Sequence, residues 1–550
     1  MTKPMRNVSA SPNSVLSMSE SLKPNGYTGS ATVPSAPRWE SIVLCTVSFL
    51  ISITVGYILV FRHQVVLSDA VSRVMNAYYV FFRGYIHMGA IGFIWNPFPS
   101  VLEMPIAAFH SIWPSLVTLG FASNIASSLF SIVSMYYMHR ILFRFGFNRI
   151  WRLIWCLLFA FNPMILYYNG NGMSDGMLLG CLLAALSGIL AYMEQRRLEA
   201  LAVGALWLAV AFMFRYEAIP FFLFTAGAIA LALWRLRQDR KETEAMLVLY
   251  AMPMVYAVIA WMFLNWLIMK NPLYFLISPY GNASQIGTGS YATIALSAAN
   301  HHIFKSIELA LEFSLLFFPS ILSMAWGAIQ QFRYRPDPRW IVLLSAILSM
   351  PLFQAVMMYL NATAGWSRFF IYYIPFGVCM LALIPSSIHR NAVKQCVLFF
   401  LTLLFVFGDI GTFHAMQSPL LGNGDYGVID AIKSNTPYET FTEADTISQY
   451  INQHNMVVLM DSFDTSAIIA RLTPAKCVIT SDIYFKSYLA NPRGKVDAIL
   501  VPKPVGLSKL DAINQAYPTL WAGKVAWARL ITTFSGPSEY RLYLVTSSAP

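Results

Sequence analysis

The chain has 550 residues, of which 57% are hydrophobic and only 11% charged, with a formal net charge of +11. A charged fraction so far below the roughly 25% of soluble domains leaves more apolar side chain than a water-soluble core absorbs, which excludes an ordinary soluble protein. The positive balance does not point to nucleic acid either, because Lys and Arg form short clusters between apolar runs and no basic domain or stripe.

Residues 1–38 are rich in Ser, Pro, Asn and Gly and lack apolar periodicity, so they are expected to form a disordered cytoplasmic tail. The first apolar run begins near Ser41 and has no small-residue cleavage pattern, which makes it a span rather than a signal peptide. From there about eleven runs have the length that a hydrocarbon core of about 30 Å demands of a helix. They lie near 40–61, 116–138, 151–168, 176–193, 199–214, 218–236, 245–269, 305–327, 340–360, 369–386 and 395–412.

Basic residues fall in alternate loops: Arg140/Arg144/Arg149/Arg152, Arg196/Arg197, Arg235/Arg237/Arg240/Lys241, Arg333/Arg335/Arg339 and Arg390/Lys394. The positive-inside bias makes that side cytoplasmic together with the N-terminus, and an odd number of spans puts the C-terminus outside. The expected architecture is an α-helical polytopic membrane domain over 39–412, with interfacial helices in an outer loop at 62–113. An extracytoplasmic α/β domain follows over 413–550.

In that last part, strand-like runs at Met456–Met460, Cys477–Thr480, Ala498–Val501 and Tyr540–Val545 alternate with helix-like ones, as in a partly parallel sheet. No Gly-rich phosphate loop supports nucleotide binding there, and no internal repeat supports a transporter of inverted-repeat design. The six cysteines form neither a disulfide framework nor a CxxC metal pair.

The outer loops hold ionisable residues pressed against helix ends. Asp69 and Arg73 stand at i,i+4 in the helical pattern after the first span, so they can pair on a polar face. Ser68 or Asp69 is equally placed to cap that helix, while a carboxylate at the mouth of a cavity would gain basicity by desolvation. Asp175 lies in the Gly- and Asn-rich turn Asn169–Gly176, where it could again be a helix cap. Arg215-Tyr216-Glu217 joins two spans with almost no loop, and a structural salt bridge competes there with a functional role. Tyr280 and Asn282 end the stretch Asn271–Asn282, whose aromatics and amides could line a sugar groove or an interface belt. Arg368, in Trp366-Ser367-Arg368-Phe369, could grip a phosphate through two parallel hydrogen bonds or reach lipid headgroups.

Taken in order, Asp69-Ala70 with Arg73, Ile91-Gly92-Phe93-Ile94-Trp95-Asn96-Pro97, Ser174-Asp175, Arg215-Tyr216-Glu217, Asn271–Asn282 and Arg368 resemble the GT-C superfamily of integral-membrane glycosyltransferases. The resemblance covers roughly Ser41 to Pro385 and lies with the protein mannosyltransferases and the bacterial polyprenyl-phosphate-sugar enzymes. It implies interfacial helices in the first outer loop, a lipid-linked donor beside an extracytoplasmic acceptor, and Asp69 as catalytic base. Such an enzyme would be a multi-pass protein of the bacterial plasma membrane, taking a glycan, lipid or protein as acceptor. The acidic pair frequent in the family is reduced here to Ser68-Asp69. A divalent metal is therefore an open question, with no resident cofactor assigned.

The expected chemistry is an inverting displacement in which Asp69 takes the acceptor's proton and Asp175 assists or orients. Arg368 holds the leaving phosphate, with Arg215 or Arg73 as alternates, Glu217 as partner of Arg215, and Tyr280 and Asn282 on the sugar. The competing classes are a transporter or lipid-linked glycan flippase, a ligase moving a preassembled glycan, and a non-catalytic subunit.

Overall fold

The computed structural model describes residues 37–291, 293–333, 337–386, 388, 390–422, 424–438, 441–536 and 538–546. The expected N-terminal tail falls, but for residues 37–38, outside them. The first apolar run forms α1 (Arg38–Tyr57), which continues as a π-helical turn over Ile58–Arg62. Two short helices follow, α2 (Ser68–Phe82) and α3 (Phe98–Ala107), within the stretch 62–113. The bundle is then built on α4 (Phe121–Arg144), α5 (Ser174–Gln195), α6 (Leu198–Phe214), α7 (Pro338–Tyr359) and α8 (Asn391–Met416), with further helices between them.

Seven of the described helices are long and apolar enough to cross a membrane, or up to nine if each of two bent pairs is one span. The difference from about eleven expected runs has local causes. Asn162-Pro163 breaks one run into Arg149–Phe161 and Pro163–Gly170, bent by 62°. Proline cannot continue the hydrogen-bond ladder, and the Asn162 side chain caps the restarted helix by accepting from the amides of Met164 and Ile165, both at 3.1 Å. A second break precedes Phe318-Pro319 and bends Ile303–Leu315 against its successor by 107°. Helix α4 is long, but Ser123, Ser127, Ser128, Ser131 and Ser134 lower its hydropathy, and all five are buried against neighbours. Helix α6 has only 17 residues.

The surface of these helices is turned inside out relative to a soluble protein. Met252, Tyr256, Ile259 and Phe263, and likewise Phe399, Phe400, Phe407 and Ile410, are exposed, as lipid-facing side chains would be. Helix α5 lies at the centre, 94% buried over its apolar window. It meets α6 at small residues, where a Cβ on Gly188 would come within 2.8 Å of the Gly204 Cα, the close backbone approach that stabilises helix pairs in lipid.

Helix α5 also defines the two ends of the bundle. Its last turn carries Glu194, bonded to Arg144 at 3.2 Å and Arg339 at 3.2 Å. At the same end Glu40 is gripped by Arg152 and lies 3.3 Å from Arg149 and 3.4 Å from His139. Basic clusters that the sequence assigns to one side thus meet in space. The first turn of α5 carries Asp175, about 30 Å away at 1.5 Å rise per residue.

The C-terminal part contains α9 (Thr442–Gln453) and a five-stranded sheet of order β2-β1-β3-β5-β4. The strands are β1 (Val458–Met460), β2 (Cys477–Ile479), β3 (Ala498–Pro502), β4 (Ala528–Phe534) and β5 (Tyr540–Val545). β1 pairs in parallel with β2 and β3, while β5 is antiparallel to β3 and β4. The sequence reading missed β4, whose mostly exposed and half-buried side chains give no apolar signal. Helix α8 also runs to Met416, past the expected boundary at 412.

This sheet does not stand apart from the bundle. Val71, Val74 and Tyr79 of α2 share one apolar core with Ile447, Ile469 and Leu542. Around it Arg83 pairs with Asp482 at 2.9 Å, Tyr79 meets Cys477, and His87 meets the Ser481 carbonyl.

Candidate functional site

Asp69 sits in the first turn of α2, half-buried, after an extended Leu67. No side-chain hydrogen bond caps this helix, so neither Ser68 nor Asp69 is serving as a cap. Arg73, one turn on, is not the surface partner anticipated for Asp69: it is 7% exposed, and its Nε and Nη1 have no hydrogen-bond partner. Its guanidinium lies 5.5 Å from the Trp95 ring, and the charges of Asp69, Glu103, Asp175 and Arg215 all act on it.

Asp175 reaches the same place from α5. The turn before it can approach α2 because Gly172 has φ +81°, and a Cβ there would press on the Ser123 hydroxyl and come within 3.2 Å of the Ala70 Cβ. Fully buried, Asp175 makes no N-cap. Its Oδ2 accepts from Arg215 Nη1 at 3.0 Å, and its Oδ1 has no partner.

Arg215 ends α6 in extended conformation and bridges outward, donating from Nη2 to Glu217 Oε1 at 2.6 Å and from Nε at 3.1 Å. The structural salt bridge weighed for Arg215 and Glu217 is therefore present, with Asp175 as a third member. Arg215 has two carboxylate partners and is a poor choice for a phosphate ligand.

Arg368 is different. Its guanidinium lies 4.2 Å from the Trp366 ring and 5.3 Å from Phe369, its Nε is buried without a partner, and the charges of Asp175 and Asp69 act on it. Tyr291 packs edge-on against Trp366 at 5.4 Å, within electrostatic reach of Asp69 and Arg368.

Six of the residues singled out from sequence, Asp69, Arg73, Asp175, Arg215, Glu217 and Arg368, thus converge on one charged cluster. Tyr280 and Asn282 do not join it. The Tyr280 hydroxyl donates to Asp461, which follows β1, at 2.7 Å. Asn282 is exposed at the start of the short helix Asn282–Gly287 and makes no side-chain hydrogen bond to the cluster.

Two carboxylates escaped the sequence reading. Glu103 of α3 is fully buried with both oxygens unpartnered; burial pushes its carboxyl well above the usual range, with Arg73 opposing. Asp425, beyond the last span, accepts from the Tyr168 hydroxyl at 2.8 Å. Burial pushes its carboxyl up to about 7, against the Tyr168 bond and the charge of Arg368 and with that of Asp175. Both lie in stretches without a motif. Only a lone acid in an apolar run, Phe98–Ala107, could have flagged Glu103.

Among the described residues no three His, Cys, Asp or Glu side chains are placed to hold one metal ion, and the buried acids alternate with guanidiniums. These residues do not fit a metal site.

No family model matches the chain, and no curated protein sequence matches it. Among solved structures it is similar to the apo form of the oligosaccharyltransferase from Archaeoglobus fulgidus, at 13% identity and a TM-score of 0.45. That similarity covers 84% of this chain and 70% of the archaeal one.

Proposed function

We propose that the chain is a membrane glycosyltransferase of GT-C type that moves a sugar from a polyprenyl-phosphate donor to an extracytoplasmic acceptor. The observation that carries this reading is the pairing of a half-buried carboxylate, Asp69, with two guanidiniums, Arg73 and Arg368, whose buried nitrogens lack partners. Burying such donors unpaired costs free energy, and an anionic ligand is the group that would satisfy them.

The reaction is a single displacement. Asp69 takes the proton of the acceptor hydroxyl as that oxygen bonds to the anomeric carbon. The bond from that carbon to the phosphate oxygen breaks, and its electron pair leaves on the phosphate. Arg368, with Arg73 behind it, stabilises that growing charge. No general acid is required, since the leaving group is already ionised. Asp175, held by Arg215, positions the cluster rather than competing for the proton.

Asp69→Asn is expected to lower transfer by roughly 10²–10⁴-fold, the usual contribution of a general base, while expression and retention of polyprenyl phosphate persist. Near-normal turnover would remove Asp69 from the chemistry. A monosaccharyl-phosphate lipid assayed beside a diphosphate-linked oligosaccharide distinguishes this transferase from a ligase. Labelling of cysteines placed around residue 69 tests its extracytoplasmic location.

A further inference from the structure

Glu103 interrupts a packing face. The buried stripe of α3 is Pro99, Ser100, Glu103 and Ala107, the spacing of one helix side, where packing alone asks for small or apolar residues. Glu103 is fully buried there, and neither of its oxygens has a hydrogen-bond partner. Arg73, on the neighbouring α2, is the one charged group among the described residues that acts on it. The two make no ion pair, and Arg73 has unpartnered nitrogens of its own at Nε and Nη1.

A buried carboxylate keeps its charge where hydrogen bonds or a cation compensate it. Asp461, just as buried, meets that condition. It accepts from the amides of Phe463 at 3.0 Å and Ala512 at 2.6 Å, and from the Thr480 and Tyr280 hydroxyls. Glu103 has no such donors, so a proton is the compensation left to it, in line with the upward push of burial on its carboxyl. A neutral carboxyl offers one O–H donor and a carbonyl acceptor, and an acceptor is what the Arg73 nitrogens lack. The protonation state also decides what Arg73 can do. An ionised Glu103 would neutralise Arg73 and compete with a phosphate for it, and an apolar residue in its place would offer the guanidinium nothing to bond.

We propose that Glu103 serves as an uncharged acid, a positioning residue that steadies Arg73, directly or through one water, and leaves its positive charge to the donor phosphate. The phosphate rests on the donor reading proposed for Asp69 and Arg368, whereas the relation between Glu103 and Arg73 does not.

Full-length protein in detergent supplies the test. An infrared difference spectrum, wild type minus Glu103→Gln at neutral pH, should contain the C=O band of a protonated carboxyl. Glu103→Leu, which removes a buried acid from an apolar face, should unfold at a temperature no lower than wild type. It should nonetheless weaken retention of polyprenyl phosphate in native mass spectrometry by about tenfold, the loss of one hydrogen bond to a charged group. Glu103→Gln should restore most of that retention. In an Arg73→Met background, Glu103→Leu should change retention no further. Absence of the carboxyl band, a Gln variant as weak as the Leu variant, or an undiminished effect of Glu103→Leu without Arg73 would overturn the proposal. Wild-type protein that retains no polyprenyl phosphate would overturn the donor reading itself. The infrared band and the coupling of Glu103→Leu with Arg73→Met in thermal unfolding would then still decide whether Glu103 serves Arg73.

Discussion

At the scale of single residues, the cluster divides its guanidiniums by occupation. Arg215 is saturated by Asp175 and Glu217, whereas Arg368 has ring faces beside it and a carboxyl, Asp425, whose charge depends on pH near neutrality. The sign of the effect follows. On the proposed reaction, an Asp425 that is neutral below about 7 would leave Arg368 to the donor phosphate. Above it, the ionised carboxylate competes for the same cation. A sugar-phosphate-lipid diester does not itself titrate in this range, so donor affinity should weaken as pH rises from about 6 to about 8. The measurement is the donor KM across that interval, and Asp425→Asn should flatten it.

Charged residues beside a turn or helix start, such as Asp69, Asp175 and Arg368, stand out in the sequence as candidates, and the fold places them near one another. Sequence could not say which arginine was already engaged. For Glu103 it offered only a lone acid in an apolar run, and nothing to show that folding brings that helix alongside Arg73.

At the scale of elements, the decisive contact is the approach of the turn before α5 to α2. Gly172 combines a left-handed φ with a position where a side chain would strike Ser123 and Ala70. Gly172→Ala should cost about 1–3 kcal/mol in stability from strain alone and move Asp175 away from Asp69. Thermal unfolding in detergent checks the first effect. A fall in transfer rate larger than the loss of folded protein checks the second. The glycines and asparagines announced a tight turn from sequence, but not what it would pack against. The apolar runs were legible as helices for the reason that hydrocarbon leaves the backbone no other partner. Bends at Pro163 and Pro319 and the serines of α4 blurred how many of them cross.

At the scale of the molecule, the five-stranded sheet and its helices rest on the helix that carries Asp69. Arg83–Asp482 lies at the edge of that contact, with Asp482 1% exposed. Arg83→Gln leaves the Asp482 carboxylate with its bonds from the Ile479 amide and the Tyr85 hydroxyl but without its cation, a loss below the about 3–5 kcal/mol of a fully uncompensated buried charge. The substitution should make the sheet and its helices more susceptible to limited proteolysis. An unchanged cleavage rate would mean that the shared apolar core suffices for docking. Residues 83 and 482 are too far apart in the chain for any local pattern to have linked them.

The near-complete enclosure of α5 also bears on how the protein is made. Segments emerging from the ribosome before it, such as α4, and after it, α6 and α7, supply its walls. While those later segments are still unsynthesised, α5 must be housed by lipid or by the insertion machinery. Its apolar sequence permits that temporary lodging, and its final seat closes only when Pro338–Tyr359 and then Tyr373–Ser386 arrive.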